Sequence, residues 1–554
     1  MFSRIPMPYP YSLFFKTTEH ESRSNKMDNI PKSQAALPMI KTLMLVLTVL
    51  LFLLTGFFSL PAQPFPKTEL RAAWIATVVN IDWPSKKGLN SVQQQQEYVR
   101  LLDLLKSVGM NAVVVQVRPA ADAFYPSSYE PWSEYLSGTQ GQSPFPYYNP
   151  LTFMIEQARI KGLEFHAWFN PYRVSMNDTT RFASDHPLYK HPEWFVKYGG
   201  KWYYDPGHRE AREFVLKAIM ETVMHYDLDA VHFDDYFYPY RIMNEEFPDS
   251  CSYKAYGIDS FATKDDWRRD NVNYFVRELS ARIKSVKPHV KFGISPFGVW
   301  RNIDKDPNGS ATQAGQTNYD DLYADVLKWL QEGWIDYVTP QLYWHIGFKV
   351  ADYEVLLDWW SKHTYGKHLY IGQGIYRVGG KSWEDPNEVS NQILLNRSNE
   401  NVKGSMFFSA KTFLQNKNRI NEQIKEMYRY PALVPVMDWM DSSAPTPPLV
   451  VVSKGSQAEG IQIQWKDDST STATYYVIYR FDERDSLTTE DPEKIYAIVQ
   501  RTPYEIQTWT DAHTKKRTTY QYVITAVNRQ HNESNRSKTL TIRTRGKKTS
   551  VKVL

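Results

Sequence analysis

The chain has 554 residues, 42% of them hydrophobic and 15% aromatic, with 17 Trp, 37 Tyr and a formal charge of +4. That length exceeds one ordinary domain and fits an α/β barrel with a small module attached. So small a charge spread over the whole length excludes a dedicated nucleic-acid binder, which would show a concentrated basic face. The single Cys251 excludes an intramolecular disulfide framework.

Residues 1–38 are polar and patternless, and Met39 would make a more normal start. From there "MIKTLMLVLTVLLFLLTGFFSLPAQ" places Lys41 before an uncharged run, Thr42 to Phe58, and the small Ala62 before Gln63. This is the order of a secretory signal peptide, residues 39–62, cleaved near Ala62. The alternative is an uncleaved anchor, since the run approaches bilayer-spanning length. The expectation is an exported chain, periplasmic or extracellular, that meets a membrane only through this segment if it is retained.

Strand candidates then recur at 70–78, 112–119, 164–172, 230–236, 291–298, 336–344, 369–376 and 405–410, short and rich in β-branched or aromatic residues. Amphipathic stretches alternate with them at 94–108, 151–161, 212–226, 272–286, 319–331, 353–363, 387–398 and 418–428. Eight such units predict a closed (β/α)₈ barrel over 67–430. An open doubly wound sheet is the alternative, but no glycine-rich phosphate loop follows the first strand. The helix-to-strand links are tight, whereas those after strands two to four run to tens of residues. Long loops gathered at the C-terminal ends of the strands are where such barrels carry their chemistry.

Side chains alternate along a strand. With Val113, Val115 and Val117 toward the helices, Gln116 and Arg118 point inward. The same reasoning sends His166, Trp168 and Asn170 inward from the third strand, His232 and Asp234 from the fourth, and Thr339, Gln341 and Tyr343 from the sixth. The fourth strand ends in "DAVHFDDYFYPY", where Asp234 and Asp235 stand side by side. Adjacent carboxylates raise one another's cost of ionisation, so one stays protonated while the other ionises. Glycoside hydrolysis needs that division: a proton donor for the leaving oxygen, and a second group that attacks or stabilises the oxocarbenium-like centre. On an N-acetyl sugar the second carboxylate can instead orient the attacking acetamido group. Asp122, ahead of Asp82, is the reserve for a partner from another strand end. Rings at or after strand ends, Trp83, Tyr125, Trp168, Tyr172, Tyr236, Tyr238, Trp300, Tyr343 and Trp344, offer flat faces to a saccharide, while Arg118, Asn170 and Gln341 offer hydrogen bonds.

Together "RAAWIATVVNIDWPS", "VVVQVRPAADAFYPS", "HAWFNPYRV", "DAVHFDDYFYP", "GISPFGVWRN" and "DYVTPQLYW" resemble the glycosyl-hydrolase-like 10 family, exported bacterial barrels that include peptidoglycan glycosidases acting on strands stripped of stem peptides. The resemblance implies a glycoside hydrolase of a cell-wall glycan, with Asp234 and Asp235 as its acidic motif and Arg118, Asp122, Asn170, Arg173 and Gln341 lining the site. It implies no cofactor and no metal. The position where chitinase-like barrels carry their catalytic Glu is Tyr236 here, so that mechanism does not transfer unchanged. Competing readings are a non-catalytic glycan-binding barrel and a metal-dependent amidase or deacetylase with His232 and Asp234 as ligands. The latter is weakened by the lack of His-x-His on the first strand. After "DSSAPTPPL", a linker at 441–449, residues 450–546 alternate as strands without helices and resemble a fibronectin type III sandwich. The linker predicts two independently folded parts.

Overall fold

The computed structural model describes residues 65–381, 383–456, 460–545 and 548–553. The signal segment lies outside these residues, and no helix among them is long and apolar enough to cross a membrane. Eight parallel strands form the barrel: β1 (Leu70–Ile75), β2 (Ala112–Arg118), β3 (Glu164–Phe169), β4 (Ala230–Phe233), β5 (Lys291–Ile294), β6 (Tyr337–Val338, resuming at Gln341–Leu342), β7 (His368–Gln373) and β8 (Val402–Phe407). They pair in chain order, and β8 closes on β1 with Gly404 opposite Leu70. A Cβ at Gly404 would lie 2.1 Å from the Leu70 carbonyl oxygen, so the seam needs glycine there.

The sequence pattern explains the helices. Ser91–Ser107 starts at Asn90, whose side chain caps Gln93 while Gln93 reaches back to the Asn90 N–H. Gln94, Tyr98, Leu101, Leu102 and Leu105 then bury one face, each Leu worth about 1.5–3 kcal/mol of apolar burial. The other expected helices appear at Pro150–Ile160, Arg209–His225, Lys264–Val286, Tyr353–Ser361, Glu388–Ser398 and Ile420–Met427. The expected helix at 319–331 is instead two, Asn318–Asp321 and Val326–Gln331. Tyr323 takes a left-handed conformation between them (φ 54°), and Asp325 caps a fresh start by accepting from the Lys328 N–H.

Alternation holds along the strands. Val113, Val115, Val117, Phe165, Phe169, Val231 and Phe233 pack against helices, while Ala112, Val114, Trp168, Ala230, Tyr337, Tyr370 and Met406 fill the interior. Tyr337 occupies the space over Gly293, where a Cβ would fall 2.0 Å from its ring.

Beyond the linker, two antiparallel sheets face each other. One orders Leu449–Ser456, Gly460–Lys466 and Ile506–Asp511; the other orders Ile495–Gln500, Tyr475–Asp482, Thr519–Val527, Leu540–Arg545 and Lys548–Val553. Ile463, Trp465, Tyr476, Ile478 and Ile524 lie between them. This arrangement is compatible with a fibronectin type III-like sandwich. The linker does not leave the sandwich apart from the barrel. His531 Nε2 meets Glu164 Oε1 at 2.6 Å, Lys67 pairs with Glu533 at 2.7 Å, and Arg529 donates to the Leu228 carbonyl at 3.0 Å. Barrel-side Leu433 joins the apolar cluster of Tyr475, Val477 and Tyr479. The sandwich is therefore docked on the N-terminal end of the barrel, opposite the long loops.

Candidate active site

A relay of side chains that can each be assigned a direction fixes Asp234. The backbone N–H groups of Thr77 and Val78, just past β1, donate to Gln116 Oε1 at 3.0 and 2.9 Å. That oxygen is thereby committed as acceptor, so Gln116 Nε2 donates to Asn170 Oδ1 at 2.5 Å. Asn170 in turn presents its amide hydrogens to Asp234 Oδ2, and Tyr236 N–H donates to Asp234 Oδ1 at 3.3 Å. Both Asp234 oxygens thus face groups that only donate. Asp235 accepts from Tyr240 Oη and from the Gln341 side chain. A tyrosine hydroxyl accepts as readily as it donates.

Both carboxylates are buried. Burial pushes the Asp234 carboxyl up to about 6, with Asp235 adding to the shift and Arg173, Asn170 and the Tyr236 N–H opposing it. Burial also raises Asp235, against the hydrogen bonds from Tyr240 and Gln341. The two titrate as a pair that retains one proton into mildly acidic solution. Donor directions place that proton better on Asp235, because its Tyr240 partner can accept it.

Around the pair the structure brings together Asn170, Arg173, Tyr236, Gln341 and Tyr343. The Arg173 guanidinium lies 4.3 Å from the Tyr236 ring centre, and Tyr236 stacks on Tyr240. Tyr343 stacks on Phe408 at 6.0 Å, and its hydroxyl is pushed well above the usual range by burial and by Tyr376, Asp235 and Asp234. Trp344, half-buried, meets Phe297 edge-on at 5.5 Å.

Other expected site residues lie elsewhere. Arg118 is fully buried in a bidentate pair with Glu130, its Nε 2.6 Å from Oε2, and it also donates to the carbonyls of Asn170 and Pro171. It holds the Asn170 backbone and has no donor facing a sugar. The β2–β3 register shifts between Gln116 and Arg118, so simple alternation fails at that point. Asp122 accepts from Ala120 N–H at 3.1 Å and from Ser133, and burial pushes it up to about 7. Its charged neighbours are Glu130 and Glu134, within its own loop. Asp82 ties β1 to the end of β8, accepting from Ala76 N–H at 2.6 Å and Ser409 Oγ at 2.7 Å. Trp83, Tyr125, Tyr172, Tyr238 and Trp300 turn into the core, with Trp83 donating to the Gln94 carbonyl at 2.9 Å.

His166, Trp168 and His232 do point inward, but below the mouth and with almost no exposed surface. The Trp74 indole N–H donates to His232 Nε2 at 3.2 Å, so His232 carries its hydrogen on Nδ1, facing Tyr337 Oη at 3.0 Å. Tyr337 then donates to His166 Nδ1 at 2.9 Å, and His166 Nε2–H reaches Glu164 at 3.2 Å. Burial, with His166 adding to it, keeps His232 neutral, holding it well below the usual imidazole range. With both nitrogens engaged, His232 is not available as a metal ligand beside Asp234. A cleft of about 670 Å³ does exist, but at the opposite end, between barrel and sandwich; there Arg159, Arg501 and Arg529 are paired with Asp227, Asp467 and Asp229. Its size does not make it the reaction site.

A (β/α)₈ barrel with a buried carboxylate pair and stacked rings at the end of β4 is compatible with a glycoside hydrolase. The glycosyl hydrolase-like 10 model matches residues 69–390. Glycosyl hydrolase YngK of Bacillus subtilis (strain 168) is 51% identical over 484 residues, covering 85% of this chain and 93% of that protein. Glycosyl hydrolase DigH of Escherichia coli (strain K12) is 38% identical over 367 residues, covering 61% and 82%. Among solved structures, the PgaB (BpsB) glycoside hydrolase domain from Bordetella bronchiseptica aligns over 65% of this chain and 99% of its own, with 12% identity and a TM-score of 0.43. The chain belongs to the glycosyl hydrolase-like 10 family and is a glycoside hydrolase.

Proposed function

We propose that this enzyme cleaves a bacterial cell-wall-type glycan, peptide-free peptidoglycan strands, with Asp234 and Asp235 acting on one glycosidic bond. The observation that carries the reading is the unequal hydrogen bonding of the pair: donors only on Asp234, an amphoteric hydroxyl on Asp235. Asp235 gives its proton to the leaving oxygen. Asp234, ionised, stabilises the positive charge that develops at the anomeric carbon, or orients an N-acetyl group whose carbonyl attacks it. Water then completes hydrolysis, with Asp235 taking back a proton. Tyr343 supplies a ring face, Tyr236 holds Arg173 beside the pair, and Gln341 holds Asp235. The test is incubation of the pure barrel–sandwich chain with peptide-free strands, chitin oligomers and α-glucans, followed by mass analysis. Fragments from the peptide-free strands are expected; their absence beside cleavage of another glycan would reassign the substrate, and binding without cleavage would favour a glycan-binding barrel.

The signal-like order of Lys41, the apolar run and Ala62 supports an exported enzyme beginning near Gln63. N-terminal sequencing of the exported protein checks this, and a mature chain that retains "LMLVLTVLLFLL" would make the segment an anchor.

A further inference from the structure

Arg173 acts electrostatically on the carboxylate pair, and a second cation, Lys201, lies close enough to act on Arg173. After β3 the chain runs antiparallel to the Lys201–Tyr204 strand, with Arg173 opposite Tyr203. Tyr204 N–H donates to the Tyr172 carbonyl at 2.8 Å and Val174 N–H to the Trp202 carbonyl at 3.0 Å. In such a pairing opposite residues share a face, as do residues two apart on one strand. Arg173, Lys201 and Tyr203 therefore point the same way, and Arg173 marks that direction by lying 4.3 Å from the Tyr236 ring centre at the end of β4.

Neither Arg173 nor Lys201 makes an ion pair within 4.0 Å or a side-chain hydrogen bond among the described residues. The contrast with other buried cations is plain: Arg118 has Glu130, Lys291 has Glu164, Arg268 has Asp249 and Arg397 has Glu69. Arg173 is near enough to act electrostatically on Asp234 and Asp235, and on Lys201 as well. The carboxylates have their own donors and share a proton, so together they offset about the single charge of Arg173 and leave Lys201 beside it unmatched. A folded chain rarely leaves like charges adjacent and uncompensated in a partly buried setting, because each raises the cost of the other.

We propose that Arg173 and Lys201 read a carboxylate carried by the substrate sugar that sits against Asp234 and Asp235. This rests on the glycosidase reading and names what the same site selects. A planar guanidinium fork suits a carboxylate, and the Lys ammonium adds a point charge. On a peptide-free strand the lactyl ether of each muramyl sugar ends in a free carboxylate. When a stem peptide is attached, that carboxyl is an amide and its charge is gone. The cation pair thus supplies a physical reason for preferring bare strands, independent of the bulk of the peptide.

The experiment compares peptide-free strands with the same strands after their lactyl carboxyls have been reduced to alcohols, using wild type, Arg173→Met and Lys201→Met. Wild type is expected to favour the carboxylate form by roughly 10- to 100-fold in kcat/KM, the range of one hydrogen-bonded charge contact. The ratio should collapse toward one in Arg173→Met and shrink in Lys201→Met, chiefly through KM, and should fall in high salt. Equal cleavage of both strand forms by wild type would overturn the proposal, as would a ratio that survives in both variants. Because the first of these comparisons uses wild type alone, it does not depend on a variant folding. Wild type that cleaves neither strand form would remove the glycosidase reading itself, and this one with it.

Discussion

Asp234→Asn and Asp235→Asn are each expected to lower kcat on a natural glycan at least roughly a hundredfold, the lower bound for loss of general acid–base catalysis. The loss at Asp234 comes from charge stabilisation, which contributes a comparable factor. Folding should be little affected. An amide in place of the Asp234 carboxylate can turn its oxygen to the Asn170 donor, and one in place of the Asp235 carboxyl can still accept from Tyr240. The two variants should separate with an activated leaving group, which needs no proton: Asp235→Asn is rescued and Asp234→Asn is not. Rescue of the opposite variant would exchange the roles, and near-normal rates in both would move the reaction elsewhere in the mouth. The pH profile follows from the same pair. Burial raises both carboxyls, with Asp234 at about 6, so activity needing one proton on the pair should decline as pH rises beyond about 6. Stability carries the same sign. A carboxyl raised on folding contributes fully below its unfolded value, about 3.9, and the contribution is lost as pH rises through the folded value, about 7 for Asp122. Melting temperatures of the Asp122→Asn and wild-type chains should therefore converge or cross between those limits.

The eight strands and their helices were legible because both faces of a parallel barrel are buried, and each repeats a short apolar run at a spacing that helices interrupt. Alternation also identified the inward side chains correctly for β3, β4 and β6. What it lacks is depth. His232 and Asp234 point the same way two residues apart, yet one is locked in the interior by Trp74 and Tyr337 while the other reaches the mouth. Loop residues have no period at all, so Trp83 and Tyr172 could not be told from exposed rings by position after a strand. Gln116 was placed inward without its role, which depends on the backbone of β1 and is invisible until the strands are side by side. Lys201 and Tyr203 left a trace: "FVKYGGKWYY" is two β-rich runs around Gly-Gly, a hairpin signal inside a long functional loop.

Glu164→Ala is expected to cost about 3–5 kcal/mol of stability, the range for removing one partner of a buried ion pair. Glu164 is the point where the barrel and the sandwich meet. It pairs with Lys291, a residue only 5% exposed, accepts from His166 at the base of the interior relay, and meets His531 of the sandwich at 2.6 Å. Burial works against its charge, but Lys291, His531 and the histidine hydrogen bonds outweigh burial and hold its carboxyl well below the usual range. That shift fixes the pH sign: its contribution is present above the unfolded carboxyl value and is lost as pH falls through the depressed folded one. Truncation to alanine strands the Lys291 ammonium and leaves the Tyr337–His166 relay with an unanswered N–H. Replacing both charges together, Glu164→Leu with Lys291→Met, should therefore recover much of the loss, because an apolar pair has no buried charge to leave uncompensated. His531→Ala removes the contact to Glu164 from the sandwich side and also the partner of the Tyr475 hydroxyl at 3.0 Å, and should cost about 1–3 kcal/mol for each buried partner left unsatisfied. Ending the chain near Tyr430 removes His531, Arg529 and Leu433 at once, together with Val434 and Met437, which pack in the barrel interior, and the barrel should then unfold at a distinctly lower temperature than the full chain. Thermal and denaturant melts of the four variants decide the matter. If the truncated barrel melts with the full chain, the docking contributes nothing to the barrel and the sandwich is an independent module after all.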